Sequence, residues 1–334
     1  MPFVEEIIKH KTVSIVGLDK DTGKTECLKY ILNRLKDSGH RVAVTSIGID
    51  GEGVSQISGN EKPEIALYPG MVFVTSERHY KERQLGSEIL DLSTRTTSLG
   101  RLVTARCLMP GKVMFSGPAD TVWLRSLLDE LPHHGVDTTF VDGALSRLSP
   151  GSPAITEAMI LTTGAAVSAN LRTLVSKTKY IHRLIGLEKF KSTFEEALLA
   201  KESGIWAVHS DGIDDLGIPS VFMLAKFIDR LKTDVETLYI SGALTNKVLD
   251  VLRQQPNISR LTLVVRDFTK IFADKESFDA FLGRGGKIKV LLRTSLKAVC
   301  VNPISPDGYT LNSQELCKRL SEEIAVPVYD IKQI

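Results

Sequence analysis

Gly17-Leu18-Asp19-Lys20-Asp21-Thr22-Gly23-Lys24-Thr25 lies between a β-branched run, Thr12-Val13-Ser14-Ile15-Val16, and a stretch of helical periodicity. In that stretch Cys27, Leu28, Ile31, Leu32 and Leu35 recur at i, i+3, i+4 spacing, and Gly39 closes it as a C-terminal glycine does. Val42-Ala-Val-Thr-Ser-Ile47 reads as the next buried strand. Strand, crossover helix and second buried strand imply a parallel sheet. A glycine-bounded loop that leaves a strand and opens a helix through Gly-Lys-Thr is the setting of a phosphate-binding loop. Successive backbone N–H groups can wrap a phosphate, and the helix N-terminus adds positive potential. Lys24 can reach the outer phosphates as a point charge, and Thr25 can place its hydroxyl on Mg²⁺. The motif nominates Gly17, Asp19, Lys20, Asp21, Thr22, Gly23, Lys24, Thr25 and Glu26 as the nucleotide-binding set. Strand, loop and helix in register weigh against a chance tripeptide. A loop that binds nucleotide without turnover stays open.

A Mg²⁺-dependent site needs carboxylates at neighbouring strand ends. Asp50 follows the second strand in Thr45-Ser-Ile-Gly-Ile-Asp50-Gly-Glu52, and Asp142 ends Thr139-Phe-Val-Asp142-Gly143. In a parallel sheet both would stand at the carboxyl edge. The metal set is therefore Thr25, Asp50 and Asp142, and the catalytic set is Lys24, Asp50 and Asp142. An Asp-Gly pair also simply makes a turn. For Asp50 the two readings balance; for Asp142 the metal-side reading is favoured. Asp19 and Asp21 bring negative charge to a loop that should hold anions, so they face metal, ribose, a substrate amine or solvent.

Residues 51–110 break the rhythm. After a Gly/Ser/Asn/Pro cluster come short strand-like pieces at Glu64–Tyr68, Met71–Thr75, Ile89–Leu92 and Leu102–Leu108, a β-rich insertion or antiparallel edge. The βαβ order resumes with strands at Lys112–Ser116, Thr138–Val141 and Met159–Thr162 and helices at Asp120–Leu131 and Ala169–Leu184. Gly117-Pro118-Ala-Asp120 lines the same crevice or is a turn with Asp120 at an N-cap. Ser149–Pro153 is a candidate lid or a plain loop, and Thr162-Thr-Gly164-Ala a candidate nucleotide turn. A boundary near residue 185 separates a nucleotide-binding domain, 1–185, from a second, smaller α/β domain, 186–334. Its expected strands are Ile205–His209, Thr237–Ser241, Leu261–Val265, Lys287–Leu291, Ala298–Val301 and Val326–Tyr329. Its expected helices are Thr193–Lys201, Thr245–Gln254, Lys275–Leu282 and Ser313–Ile324. His209, at a strand end in Val-His-Ser-Asp211, is weighed as half of a catalytic dyad and the balance goes against it; His133-His134 reads as surface and Arg284-Gly-Gly-Lys287 as a turn.

The 334 residues carry 42 Lys+Arg against 40 Asp+Glu, a net charge of +2, with 6% aromatics. That balance gives no electrostatic footprint for nucleic acid and no base-stacking platform. Cys27, Cys107, Cys300 and Cys317 are not at metal-ligand spacing, and four cysteines in this length do not make a disulfide framework. The N-terminus does not read as a signal peptide and no run reaches the roughly 20 apolar residues of a membrane helix. A cytoplasmic protein with no membrane association is expected.

The loop has five residues between its glycines, where the common form has four. This spacing resembles the loop of dethiobiotin synthetase-like P-loop proteins, with Gly17, Asp19, Gly23, Lys24 and Thr25 in place. Over most of the chain, further strings resemble the P-loop subunit of the lysine 5,6-aminomutase reactivase family. They are Thr45-Ser-Ile-Gly48 with Asp50-Gly-Glu52, Val141-Asp-Gly-Ala144, Ser152-Pro-Ala-Ile-Thr156, Ser241-Gly-Ala-Leu-Thr245 and Val301-Asn-Pro-Ile-Ser-Pro-Asp-Gly-Tyr309. Ile49 stands where that family often has Arg. The resemblance implies a P-loop NTPase-like fold and ATP-dependent rescue of an adenosylcobalamin-dependent amino acid aminomutase. Its implied partners are that enzyme and a second, MutS-like reactivase subunit. ATP with Mg²⁺ is the expected ligand, GTP the alternative, and ATPase activity and an oligomer are compatible with the sequence. The rival readings are a dethiobiotin synthetase-like small-molecule ligase or kinase, and a regulatory module that binds nucleotide without hydrolysis. No Asp-x-His-x-x-Gly string for cobalamin is present.

Overall fold

A computed structural model describes residues 3–47, 65–118, 120–144, 152, 155–231 and 235–334. A short helix α1 (Val4–Ile7) precedes β1 (Thr12–Gly17), α2 (Lys24–Leu35) and β2 (Val42–Ser46). Then come β3 (Ile65–Leu67), β4 (Val72–Ser76), α3 (Glu77–Glu82) and a long hairpin of β5 (Gln84–Thr97) and β6 (Gly100–Val113). The βα order resumes with α4 (Thr121–Glu130), β7 (Thr138–Ala144), β8 (Ala158–Gly164) and α5 (Leu171–Ile185). After α6 (Glu195–Leu199) a separate run holds β9 (Ile205–Val208), β10 (Ile213–Ile218), β11 (Thr237–Ile240), α7 (Asn246–Arg253), β12 (Thr262–Val265), α8 (Lys275–Gly283) and β13 (Lys287–Val290). The chain ends in β14 (Ser295–Asn302), α9 (Ser313–Glu323) and β15 (Val328–Asp330).

This is an α/β fold with a mostly parallel central sheet. The first sheet runs β15-β14-β8-β1-β7-β2-β4-β6-β3, with β5 on β6. Pairings from β15 through to β4 are parallel; β3, β4 and β5 all meet β6 antiparallel. β1 and β8 are buried along nearly their whole length, as strands covered on both faces must be. One face packs Val13, Ile15, Val44, Phe140 and Ile160 under Cys27, Leu28, Ile31, Leu32 and Leu35 of α2. The other packs Ala43, Val72, Val74 and Val141 under Trp123, Leu124, Leu127 and Leu128 of α4. The α2 residues are those the helical spacing singles out.

Two compact units result: 1–179 with 295–334, and 180–294. The expected second region, 186–334, is therefore not one unit. β14 pairs with β8 from Ser295 to Asn302, and β15 with β14, so the last forty residues extend the first sheet. The boundary near 185 falls a few residues beyond the observed division inside α5. The 180–294 unit is itself α/β, with sheet order β10-β9-β11-β12-β13 and β11, β12 and β13 parallel. β10 and the 3-10 segment Val221–Arg230 are additions to the sequence reading. Lys112–Ser116 does not restart the βαβ order: Lys112 and Val113 end β6, paired antiparallel with Ala66 and Ile65 of β3. The 65–113 stretch is β-rich: β3, β4 and β5 meet β6 antiparallel, while β4 joins β2 in parallel, and 51–64 lies outside the described residues.

No helix among the described residues is long and apolar enough to cross a membrane.

Candidate functional site

β1 lies between β7 and β8, and the connections on its two sides run opposite ways across the sheet. The carboxyl end of such a strand opens a crevice at the edge of the sheet. Gly17 ends β1 there, opposite Ala144 on one side and Thr162 on the other.

From Gly17 the chain folds back on itself. A Cβ on Gly17 would lie 2.5 Å from Thr22 Oγ1 and 2.8 Å from the Asp19 carbonyl oxygen, so the tight loop requires glycine. The Thr22 hydroxyl donates to the Asp19 carbonyl (2.9 Å) and accepts from Thr162 Oγ1 (2.9 Å). The hydroxyl has one proton, so the Thr162 hydroxyl is the donor in the second bond. Leu18 N–H donates to the Thr162 carbonyl (2.8 Å). Asp21 has φ +56° and Gly23 φ +94°, and the two left-handed residues turn the chain into α2. The Asn302 side-chain amide donates to the Asp21 carbonyl (3.0 Å).

Gly23 is the N-cap of α2, and no side chain caps the helix. Glycine presents nothing to the first-turn N–H groups of Lys24, Thr25 and Glu26. Those groups and the helix dipole favour an anion at this position. The Lys24 stem lies across the loop, with its Cγ 3.1 Å from where a Gly17 Cβ would be. Lys24 and Thr25 are half-buried and have no side-chain partner among the described residues. Asp19 Oδ1 accepts the Lys20 N–H (2.7 Å), and Asp19, Lys20 and Asp21 are all exposed. Glu26 is exposed and pairs with Lys29 (3.1 Å) along the helix surface.

Asp142 sits near the carboxyl end of β7, level with Ile15 of β1 and Ser46 of β2. Alternation along the strand puts it on the face of Phe140, the face α2 covers. It is half-buried, and its carbonyl accepts Ile47 N–H (3.2 Å). The sheet thus brings Lys24, Thr25 and Asp142 to one edge and one face. Asp50 lies outside the described residues. Among the described residues, no group of three or more His, Cys, Asp or Glu side chains is arranged to hold a metal ion. A Mg²⁺ carried in by a nucleotide needs fewer, because phosphates and waters fill most of its octahedron.

The weaker candidates sort by position. Gly117 lies on the same edge, where a Cβ would come 1.6 Å from the Ser46 carbonyl oxygen. Asp120 is the N-cap of α4, accepting Trp123 N–H (2.7 Å) and pairing with Arg95 (2.8 Å), bonds that hold its carboxyl below the usual range. Thr162 braces the loop through both its hydroxyl and its carbonyl. The 149–153 loop is outside the described residues apart from Ser152. His209 makes a surface pair with Asp214 (3.4 Å) in the other unit. Asn302 received no role from the sequence; its only signal was a place in Val301-Asn-Pro, 281 residues from the Asp21 it braces.

No family model, no curated protein and no solved structure matches this chain.

Proposed function

We propose that this chain binds a nucleoside triphosphate with Mg²⁺, ATP before GTP, at the Gly17–Thr25 loop. The observation that carries the reading is the shared edge: an uncapped helix start bearing Lys24 and Thr25, with Asp142 level on the adjacent strand. The loop amides and Lys24 would hold the phosphates, and Thr25 and Asp142 would hold the metal, Thr25 directly and Asp142 through water. Bound Mg²⁺ would neutralise charge on the β- and γ-phosphate oxygens. The exposed carboxylates of Asp19 and Asp21 then oppose free phosphate but tolerate the metal complex, so Mg²⁺ dependence should be strong.

The biological reading rests on the sequence strings. Nucleotide binding would shift the population of two conformers, and a partner would read the shift. In the reactivase reading the partners are a MutS-like subunit and an adenosylcobalamin-dependent aminomutase.

The test is thermal unfolding of the purified chain with Mg-ATP, Mg-GTP and ATP with chelator. A ligand at about 100 times its dissociation constant adds roughly 2.7 kcal/mol. The expected result is a Mg²⁺-dependent rise in Tm that Lys24→Ala removes. Wild-type and Lys24→Ala proteins responding alike would detach the loop from the function. Phosphate transfer to a small acid or amine, with no partner added, would replace the reactivase reading by the ligase or kinase one.

A further inference from the structure

Among the described non-glycine residues, only Phe3 and Asp21 have positive φ, and Asp21 lies in the loop. A left-handed L-residue costs on the order of 1 kcal/mol and persists where its surroundings hold it. Here the surroundings are specific. Asn302 ends β14, which is separated from β1 by β8. Its Nδ2 donates to the Asp21 carbonyl (3.0 Å), and its Oδ1 accepts Ile304 N–H (3.2 Å). A carbonyl only accepts and an N–H only donates, so these two bonds fix which way the amide faces. The Asn302 main chain is fixed as well: its carbonyl accepts Ala165 N–H (2.9 Å). A Cβ on Gly164 would lie 2.0 Å from that carbonyl oxygen, so glycine is needed for the approach. Asn302 Cβ also stands 3.1 Å from where a Gly23 Cβ would be, and the bare glycine backbone admits it. Thr22, between the two left-handed residues, is buried against Thr162.

We propose that Asn302 is the positioning residue of the Gly17–Thr25 loop. Its amide holds Asp21 to Gly23 in the left-handed turn that aims the loop amides and the start of α2 at one anion. This rests on the nucleotide-binding reading for its consequence, not for its geometry. A strand far along the chain, second from the edge of the sheet, thereby sets the phosphate affinity of a loop at its beginning.

The test uses full-length Asn302→Asp, Asn302→Ser, Asp21→Gly and the two double variants. Asn302→Asp keeps an oxygen for Ile304 N–H but sets a second oxygen against the Asp21 carbonyl. Asn302→Ser shortens the group and serves if the aspartate protein does not fold. Glycine at 21 adopts the left-handed conformation without support. Amide hydrogen exchange over Lys20–Thr25 is read without ligand, and affinity is read for Mg-ATP and for Mg-tripolyphosphate, which has no base or ribose. Loss of one hydrogen bond predicts exchange faster, and both affinities weaker, by up to about tenfold. Asp21→Gly should restore most of each loss when compared with the single Asp21→Gly protein. Unchanged exchange overturns the proposal, and so does a double variant no better than the single. A loss confined to Mg-ATP, with tripolyphosphate binding intact, also overturns it, by making Asn302 a contact to the base. If the wild-type chain binds neither ligand, the nucleotide reading fails, and the exchange measurement still decides whether Asn302 holds the loop.

Discussion

One methyl group at Gly17 would meet both a hydroxyl and a backbone carbonyl. The Thr22 hydroxyl can rotate away, but the Asp19 carbonyl at 2.8 Å is part of the loop itself. Gly17→Ala should therefore open the loop, at about 1–3 kcal/mol of overpacking. Mg-ATP should then give no Tm rise, while far-UV circular dichroism stays that of the wild type. Retained Mg-ATP binding in Gly17→Ala would show that the phosphate does not lie in this loop. Asp142→Asn makes a milder change. The side chain keeps its size, loses its charge and exchanges one acceptor oxygen for an NH2 donor, so binding should persist with a weaker dependence on Mg²⁺. Titrating Mg²⁺ at fixed ATP reads that directly. An unchanged Mg²⁺ midpoint would remove Asp142 from the metal set. These residues were visible in the sequence because motif spacing and strand alternation are local. Asn302 was not, and Thr162 stood out only as part of a candidate nucleotide turn, because what they do depends on which strand lies beside the loop.

Between elements, register decides what is paired. Arg41 enters β2 and Asp137 enters β7, and the adjacent strands bring them together. Asp137 accepts from the Arg41 backbone N–H (3.0 Å), Nε (3.2 Å) and a terminal nitrogen (2.8 Å). These bonds hold the Asp137 carboxyl at about 2, below its ordinary 3.8. A carboxylate depressed in the fold stabilises above its unfolded pKa, and that stability is lost as pH falls through the folded value. The contribution is thus present above pH 4 and disappears towards pH 2. The pair is partly exposed, with side-chain exposures of 64% and 35%, so water screens it and the effect is small. Asp137→Asn should flatten the acid limb of stability between pH 4 and 2 and leave the unfolding slope near pH 7 alone. An acid limb identical to wild type would mean that Arg41 and Asp137 contribute nothing in solution. Under α2, Leu28 is fully buried, and Leu28→Ala should cost about 2–5 kcal/mol, measured by urea unfolding. That helix and its core face could be read from spacing alone. The long hairpin could not: β5 is largely exposed, β6 alternates weakly, and the pair carries shifts in register, so only fragments of β5 and β6 stood out.

Across the whole chain, periodicity reported most elements of the last 150 residues, though not β10 or the Val221–Arg230 segment, and it did not report their sheet membership. Ala298–Val301 reads like any other buried strand, and nothing in its own residues says that it pairs with β8 and not with β13. Pairing between distant segments is set by which edges remain open, which no local pattern carries. The consequence can be tested by cutting the chain. The 180–294 unit has its own sheet and a core containing Tyr239, Val264, Leu198 and Leu291, so expressed alone it should fold and unfold cooperatively. Chain 1–294 keeps the loop, Lys24 and Asp142 but loses β14, α9 and β15. It thereby loses the buried side chains of Val299, Val301, Leu316, Leu320 and Ile324. Each is worth about 1.5–3 kcal/mol when buried. Together they match the roughly 5–15 kcal/mol that holds a whole domain. Removing them also bares β8, whose every residue from Ala158 to Gly164 is buried. Chain 1–294 should therefore lose the cooperative transition of the first unit and all response to Mg-ATP, while the transition of 180–294 remains. If 1–294 melts like the full chain in both transitions, the last forty residues are an accessory to the first sheet and not part of its core.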